Sequence, residues 1–265
     1  MIFFLHIPKT AGTTFYDLVK LNYNGLLKPK IDEKPSIYLK KQLDKCNTSA
    51  IRLPGDYFSS PKILDEISKL SFENKKRINF IGGHVGYGFH EKFELPLDYI
   101  SFIREPQERL ISDFYEHHKE GRYFYKELKA CGFQFNAYLE ILLKNNFDNW
   151  MTRMLSGPYN VFENTREPLK MLDFENAIIN SKNVRFFNIN DFEKSLIFFY
   201  QNYNWKKFKY TLRNKSLLEK RELTIDRELL NEALKYDRLL FKTIRQEKVE
   251  FTSLYKRLMY NLMKK

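Results

Sequence analysis

Apolar positions along this chain follow two rhythms: short continuous runs, and stretches where they recur every three or four residues. The first run, residues 2–7 (IFFLHI), is bounded by Pro8 and has the pattern of a buried strand. It feeds the stretch Pro8-Lys9-Thr10-Ala11-Gly12-Thr13-Thr14. Beyond it Phe15, Leu18, Val19 and Asn22 share one helical face, with Thr13 or Thr14 available as the cap. Runs at 78–81 (INFI), 99–103 (YISFI) and 184–189 (VRFFNI) read as three more strands. Ser60-Pro61 opens a short helix with Ile63, Leu64, Ile67 and Leu70 inward. Pro106 stands at the first position of a helix carrying Leu110, Ile111, Phe114, Tyr115 and His118 on one face. Another helix starts at Asp191, and spacing predicts long helices at about 226–247 and 250–263. Residues 24–60, basic and broken by Pro29, Pro35 and Pro54, predict no defined element. Strands alternating with helices predict an α/β fold on a parallel sheet, with helical additions near 125–155 and beyond 215. No repeat or linker divides the sequence, so the expectation is one domain over 1–265, its C-terminal helices (about 222–265) packed on it.

Composition narrows the classes. With 43% hydrophobic and 16% aromatic residues among 265, the chain can bury a core, and disorder is excluded as the default. A net charge of +12 favours anionic partners: nucleotides, acidic polysaccharide, nucleic acid or an anionic membrane surface. Cys46 and Cys131 are far apart, with neither a disulfide framework nor zinc spacing, so no metal is expected. The apolar start is too short for a secretory signal and lacks a basic leader, and no apolar stretch approaches the ~20 residues of a membrane span.

Candidate chemistry gathers at strand–helix junctions. A strand leading through a short loop to a helix N-terminus offers free N–H groups and the positive end of a dipole. Lys9 adds a mobile charge there, and Thr13 and Thr14 add hydroxyls. Lys9 precedes Gly12, which is not the order of GxxxxGK[ST]. Arg104 ends the third run, and Ser112 lies eight residues on, a little over two helical turns. His84 sits in GGHVGYGFHE (82–91), where glycines at 82, 83, 86 and 88 open a turn to a cleft. It is either a base for proton transfer or a turn histidine bonded to backbone. His6, inside the first run, reads as a core histidine.

FLHIPKTAGTT (residues 4–14) resembles the 5′-phosphosulfate loop of carbohydrate sulfotransferases related to the heparan sulfate 2-O- and 6-O-sulfotransferases, whose pattern is close to HxPKTGGTS. Ala11 replaces the first glycine of that pair. SFIREPQERLISDFYEH (101–117) resembles the family's 3′-phosphate motif. Weaker similarities lie at NNFDNWMTRMLSG (145–157), VRFFNINDFEKSL (184–196), LRNKSLLEK (212–220) and LKYDRLLF (234–241). The resemblance implies a P-loop-like parallel sheet flanked by helices, 3′-phosphoadenosine 5′-phosphosulfate (PAPS) as sulfuryl donor without a metal, and a carbohydrate hydroxyl as acceptor. It implies donor binding by Pro8, Lys9, Thr10, Ala11, Gly12, Thr13, Thr14, Arg104 and Ser112, with Arg213 and Lys215 in a loop closing on the nucleotide. Lys9 would stabilise the leaving group and His84 would act as base. The 2-O-sulfotransferases carry His-Gly-His where this chain has Gly82-Gly83-His84, which leaves His90 or Glu91 to supply a second group.

Two other readings compete: a nucleotide-dependent phosphotransferase, and a non-enzymatic basic module for nucleic acid or anionic glycan. The first lacks the glycine-then-lysine order and an evident Mg²⁺ carboxylate. The second lacks a recognisable nucleic-acid motif. The acceptor is expected to be an oligosaccharide, polysaccharide or glycolipid, anionic or lipid-linked among the options, and nucleic acid is not expected as a partner. With Met1 directly ahead of the first strand, the expectation is a bacterial-type cytoplasmic member, at most at the inner membrane face. Residues 251–265 place Phe251, Leu254, Tyr255, Leu258, Met259 and Leu262 on one stripe, read as a helix docked on the core, with a peripheral membrane contact as the minority reading. Arg153 with Asn149 faces the acceptor or braces the sheet.

Overall fold

The computed structural model describes residues 1–45, 48–56, 59–160, 167–210 and 223–247. Five parallel strands form its centre: β1 (Ile2–Leu5), β2 (Ala50–Arg52), β3 (Phe80–Gly83), β4 (Asp98–Ile103) and β5 (Val184–Asn188), in the order β2-β3-β1-β4-β5. Four match apolar runs in the sequence. The edge strand β2 does not: three residues among prolines give no run to read, and its pairing, with Leu27 on one side and β3 on the other, is long-range.

The helices are α1 (Gly12–Asn22), α2 (Pro35–Lys45), α3 (Ser59–Ser68), α4 (Phe72–Lys76), α5 (His90–Phe93), α6 (Pro106–Glu116), α7 (Tyr125–Ala130), α8 (Phe135–Lys144), α9 (Trp150–Ser156), α10 (Met171–Ser181), α11 (Phe192–Tyr203), α12 (Arg227–Ala233) and α13 (Lys235–Thr243). Strand alternation sorts the core into two layers. Ile2, Phe4, Ala50, Phe80, Ile100 and Phe102 face α1 and α11, packing on Phe15, Leu18, Val19, Leu196 and Phe199. Phe3, Leu5, Ile51, Ile81 and Ile103 face α3 and α9, packing on Ile63, Leu64, Ile67, Met151 and Met154. A third cluster (Leu110 and Phe114 of α6, Leu128 of α7, Leu139 of α8, Leu230 of α12) forms the helical addition. No described helix is long and apolar enough to cross a membrane.

The single helix expected over 226–247 is two, broken at Leu234 (φ −120°). The Asn149 side chain accepts from the Tyr236 and Asp237 amides at 2.8 and 3.0 Å, so the second helix starts afresh on a cap borrowed from elsewhere. Beyond Ile244 the chain is extended, and Gln246 bridges to Phe186 of β5. The stripe at 251–265 lies outside the described residues.

Because β1 pairs with β3 on one side and β4 on the other, the chain switches its direction of winding at β1. In open α/β sheets the crevice beyond the carboxyl ends of the strands at such a point is where ligands bind.

Candidate active site

The carboxyl ends of β3, β1 and β4 carry, in that spatial order, His84, the loop Pro8–Thr14 and Arg104. Phe4 of β1 pairs with Gly82 of β3, and two residues further along each strand stand His6 and His84, on the same face. The two imidazoles stack with centroids 4.1 Å apart at 25°. His6 N donates to Gly83 O at 3.0 Å, and His84 Nδ1 lies 2.7 Å from the His6 carbonyl. A carbonyl only accepts, so Nδ1 carries the hydrogen and Nε2 is the basic nitrogen of the neutral ring. Burial lowers the His84 pKa to about 4; the Arg52 charge acts in the same direction, against the bond to the His6 carbonyl. Burial, then the charges of His84, Arg52 and Lys9, depress His6 as well. The histidine beside His84 is thus His6, read from sequence as core. His90 packs elsewhere, against Tyr87 and Tyr99 of the α3-side core, with Nδ1 3.2 Å from Tyr99 Oη.

The loop turns through two left-handed residues, Lys9 (φ 68°) and Ala11 (φ 61°). Thr10 Oγ1 donates to Ile7 O at 2.7 Å, so that hydroxyl ties the loop to itself. Helix α1 begins at Gly12 with Ala11 as its N-cap; Thr13 and Thr14 lie inside the first turn and do not cap it. The N-cap Ala11 makes no side-chain cap hydrogen bond, which leaves its end of the helix able to attract an anion at the sheet edge. Gly12 is required by contact: a Cβ there would stand 1.8 Å from His6 Nε2.

Lys9 Nζ is 3.0 Å from Glu116 Oε2, in the last turn of α6. Glu116 also takes Lys119 at 2.7 Å and Arg122. Burial would raise its pKa, but Lys119, Lys9 and Arg122 together hold it at about 2. Arg104 stands before α6, whose N-cap Glu105 accepts from Glu108 N at 2.8 Å; Arg104 Nε donates to Glu108 Oε2 at 3.2 Å. Helical phase therefore does not carry Arg104 onto the Ser112 face, and no hydrogen bond joins the two. Arg104 stands at the mouth of the junction, outside the helix, and Ser112 is half-buried along the helix leaving it. Arg213 and Lys215 lie outside the described residues.

The family model of the sulfotransferase family matches residues 1–242, from β1 to the last turn of α13. The chain belongs to the sulfotransferase family. No curated protein matches the sequence. Membership makes sulfuryl transfer, in general terms, the chemistry to set against the geometry.

Other residues of this sulfotransferase resolve as supports. Arg153 is buried, its guanidinium bonded to Asp148 Oδ1 (2.7 Å), Asp148 O (2.9 Å) and Glu167 O (2.9 Å), so it braces the α9 junction. Asp237 is fully buried and accepts from Met151 N (3.2 Å), Thr152 N (2.8 Å) and Thr152 Oγ1 (2.9 Å), capping α9 while Asn149 caps α13. Glu116 and His6 are the neighbours of the site that motif reading passed over. Alternation from Phe4 pointed to His6; Glu116 depends on a contact 107 positions away in sequence.

Proposed function

We propose that this sulfotransferase transfers a sulfuryl group from PAPS to a carbohydrate hydroxyl, in the manner of the heparan sulfate 2-O- and 6-O-sulfotransferases its motifs resemble. One observation carries the reading: His84, with Nδ1 committed to the His6 carbonyl, shares a sheet edge with the Lys9 loop. The residues also suit an anionic ligand, since Lys9 is held by a carboxylate and the N-cap Ala11 of the α1 terminus beside it makes no side-chain cap bond.

When bound, PAPS supplies a sulfuryl group carried on a phosphate bridge. Residues Pro8–Thr14 hold its phosphosulfate through backbone N–H groups, and Lys9 exchanges Glu116 for it. Arg104 and Ser112 hold the 3′-phosphate; Arg213 and Lys215 close on the nucleotide. His84 Nε2 takes the acceptor hydroxyl proton as that oxygen bonds to sulfur. The electron pair of the broken S–O bond stays on the phosphate oxygen, against the Lys9 ammonium. One catalytic domain spanning the chain performs the transfer, on an oligosaccharide, polysaccharide or glycolipid.

Calorimetry with adenosine 3′,5′-bisphosphate and adenosine 5′-phosphosulfate tests the donor site. Arg104→Ala and Ser112→Ala are expected to weaken the bisphosphate, at about 1.5–3 kcal/mol for a charged hydrogen bond, and to leave the phosphosulfate almost unchanged. Equal losses on both ligands would place these residues elsewhere. Transfer of labelled sulfate from PAPS to a glycan panel should fall ~10²–10⁴-fold in His84→Ala with bisphosphate affinity retained; retained activity would remove His84 from the reaction.

A further inference from the structure

We propose that Glu116, Lys119 and Arg122 form a positioning device for Lys9: the carboxylate keeps the ammonium beside the donor loop, and the other two cations let it go when an anion takes its place. The proposal rests on the donor reading above and extends it from the lysine to the groups that hold the lysine.

Glu116 is half-buried in the last turn of α6, and its two oxygens are unequally shared. Oε2 takes Lys9 Nζ at 3.0 Å and Lys119 Nζ at 2.7 Å, while Oε1 takes the Arg122 guanidinium. Elsewhere on the chain Asp65, Asp98 and Asp148 pair with one cation each: Lys92, Arg185 and Arg153. Burial would raise the Glu116 pKa, yet Lys119, Lys9 and Arg122 hold it at about 2, so the group is a carboxylate at neutral pH.

The three cations are not equivalent. Lys119 and Arg122 belong to the turn that follows α6, which the chain closes locally: Lys119 N donates to Glu116 O and Arg122 N to Lys119 O, both at 3.2 Å. Their side chains are more than half exposed. Lys9 reaches Glu116 across 107 positions of sequence, is largely buried, and has a left-handed backbone in the loop assigned to the phosphosulfate. Taking the only cation from a half-buried carboxylate leaves an uncompensated charge. Glu116 keeps two, one of them closer on the same oxygen. Losing Lys9 therefore costs this carboxylate little, and an arriving phosphate or sulfate competes only with an anion that is already neutralised.

The device acts on one end of the donor. Helix α6 runs 11 residues from Pro106 to Glu116. That is about 16 Å at 1.5 Å per residue, so Glu116 lies a helix length from the junction where Arg104 is assigned the 3′-phosphate. Its influence reaches the donor's 5′ group, through Lys9. Without Lys119 and Arg122 the carboxylate would hold Lys9 with its full charge, and a 5′ group would have a stronger pair to break. Without the Glu116 charge the ammonium would have no competing anion, and a 5′ group would bind it more tightly.

Calorimetry on the full chain, at about 0.15 M salt to damp long-range charge effects, tests this. The probe is adenosine 3′,5′-bisphosphate, and the control is adenosine 3′-phosphate, which has no 5′ group for Lys9. The double variant Lys119→Ala, Arg122→Ala should bind the bisphosphate about fivefold more weakly, the upper range for an exposed ion pair, and the control as wild type does. Glu116→Gln should bind the bisphosphate about threefold more tightly, and adding it to the double variant should abolish the loss. In a Lys9→Met background the double variant should cost nothing further. The double variant alters only exposed side chains, so the test stands should Glu116→Gln fail to fold. A double variant that binds the bisphosphate like wild type, or that loses as much on the control, would overturn the device. So would a loss that persists with Glu116→Gln, since the two cations would then act on the ligand directly, or one that persists in Lys9→Met, since Glu116 would then act without the lysine. Glu116→Gln binding no tighter than wild type would overturn it as well. A wild-type chain that binds neither nucleotide would strike the donor reading, and the device with it.

Discussion

Ala11 holds a left-handed backbone (φ 61°) that costs a residue with a Cβ roughly 1–2 kcal/mol and glycine little. Ala11→Gly is therefore expected to raise stability by up to about 1 kcal/mol, read as a higher urea midpoint with bisphosphate affinity unchanged. Gly12→Ala should do the opposite: its Cβ meets His6 at 1.8 Å, so loop or histidine must move, and both stability and bisphosphate binding should fall. If His84 is the base, its pKa sets the pH behaviour. With its pKa lowered to about 4 by burial, against an ordinary 6.5, the ring is already unprotonated at neutral pH. The acid limb of kcat/KM is expected near pH 4 rather than 6.5, since that profile reports the free enzyme's base. The unfolded chain takes the proton first, so the stability associated with His84 is complete above pH 6.5 and is lost as the pH falls from there towards 4. A limb centred at 6.5 would mean that His84 is not the titrating base.

Helices α9 and α13 start on each other. Asn149 accepts the first amides of α13, and Asp237, from within α13, accepts the first amides of α9. Losing a side-chain cap costs about 0.5–2 kcal/mol, so Asn149→Ala should lower the urea midpoint by that order. Asp237→Ala should cost more, because it also removes the carboxylate facing the buried Arg109; equal effects would mean that Arg109 does not depend on Asp237. This reciprocal cap shows what the sequence could and could not disclose at this scale. Strands β1 and β4 were legible because a strand buried on both faces is a bare apolar run. Helix α6 was legible because Pro106 and the spacing of Leu110 and Phe114 are local. The break at Leu234 was not, since the helix after it starts on the Asn149 side chain, 87 positions before Tyr236. The site divides the same way: Lys9 and Arg104 stand in contiguous motifs, whereas the stacking of His6 on His84 comes from the pairing of β1 with β3.

Over the whole molecule the net charge is +12, and part of its positive charge stands at one rim. Lys9, Arg52 and Arg104 all stand at the carboxyl edge of the sheet. Such a field steers anions and is screened within about 10 Å at 0.1 M salt. The association rate of adenosine 3′,5′-bisphosphate, measured by stopped flow, is therefore expected to fall several-fold as salt rises from about 0.02 M to about 0.2 M. A rate indifferent to salt would mean that the charge does not act at the site. Strand β1 also divides that rim in two, with β4 and α6 on one side and β3 and β2 on the other. On the reading proposed above, the first side would serve the donor and the second would meet the acceptor. A change of sugar could then be written into a short edge strand and the loop before it, while the side that reads the donor stays as it was.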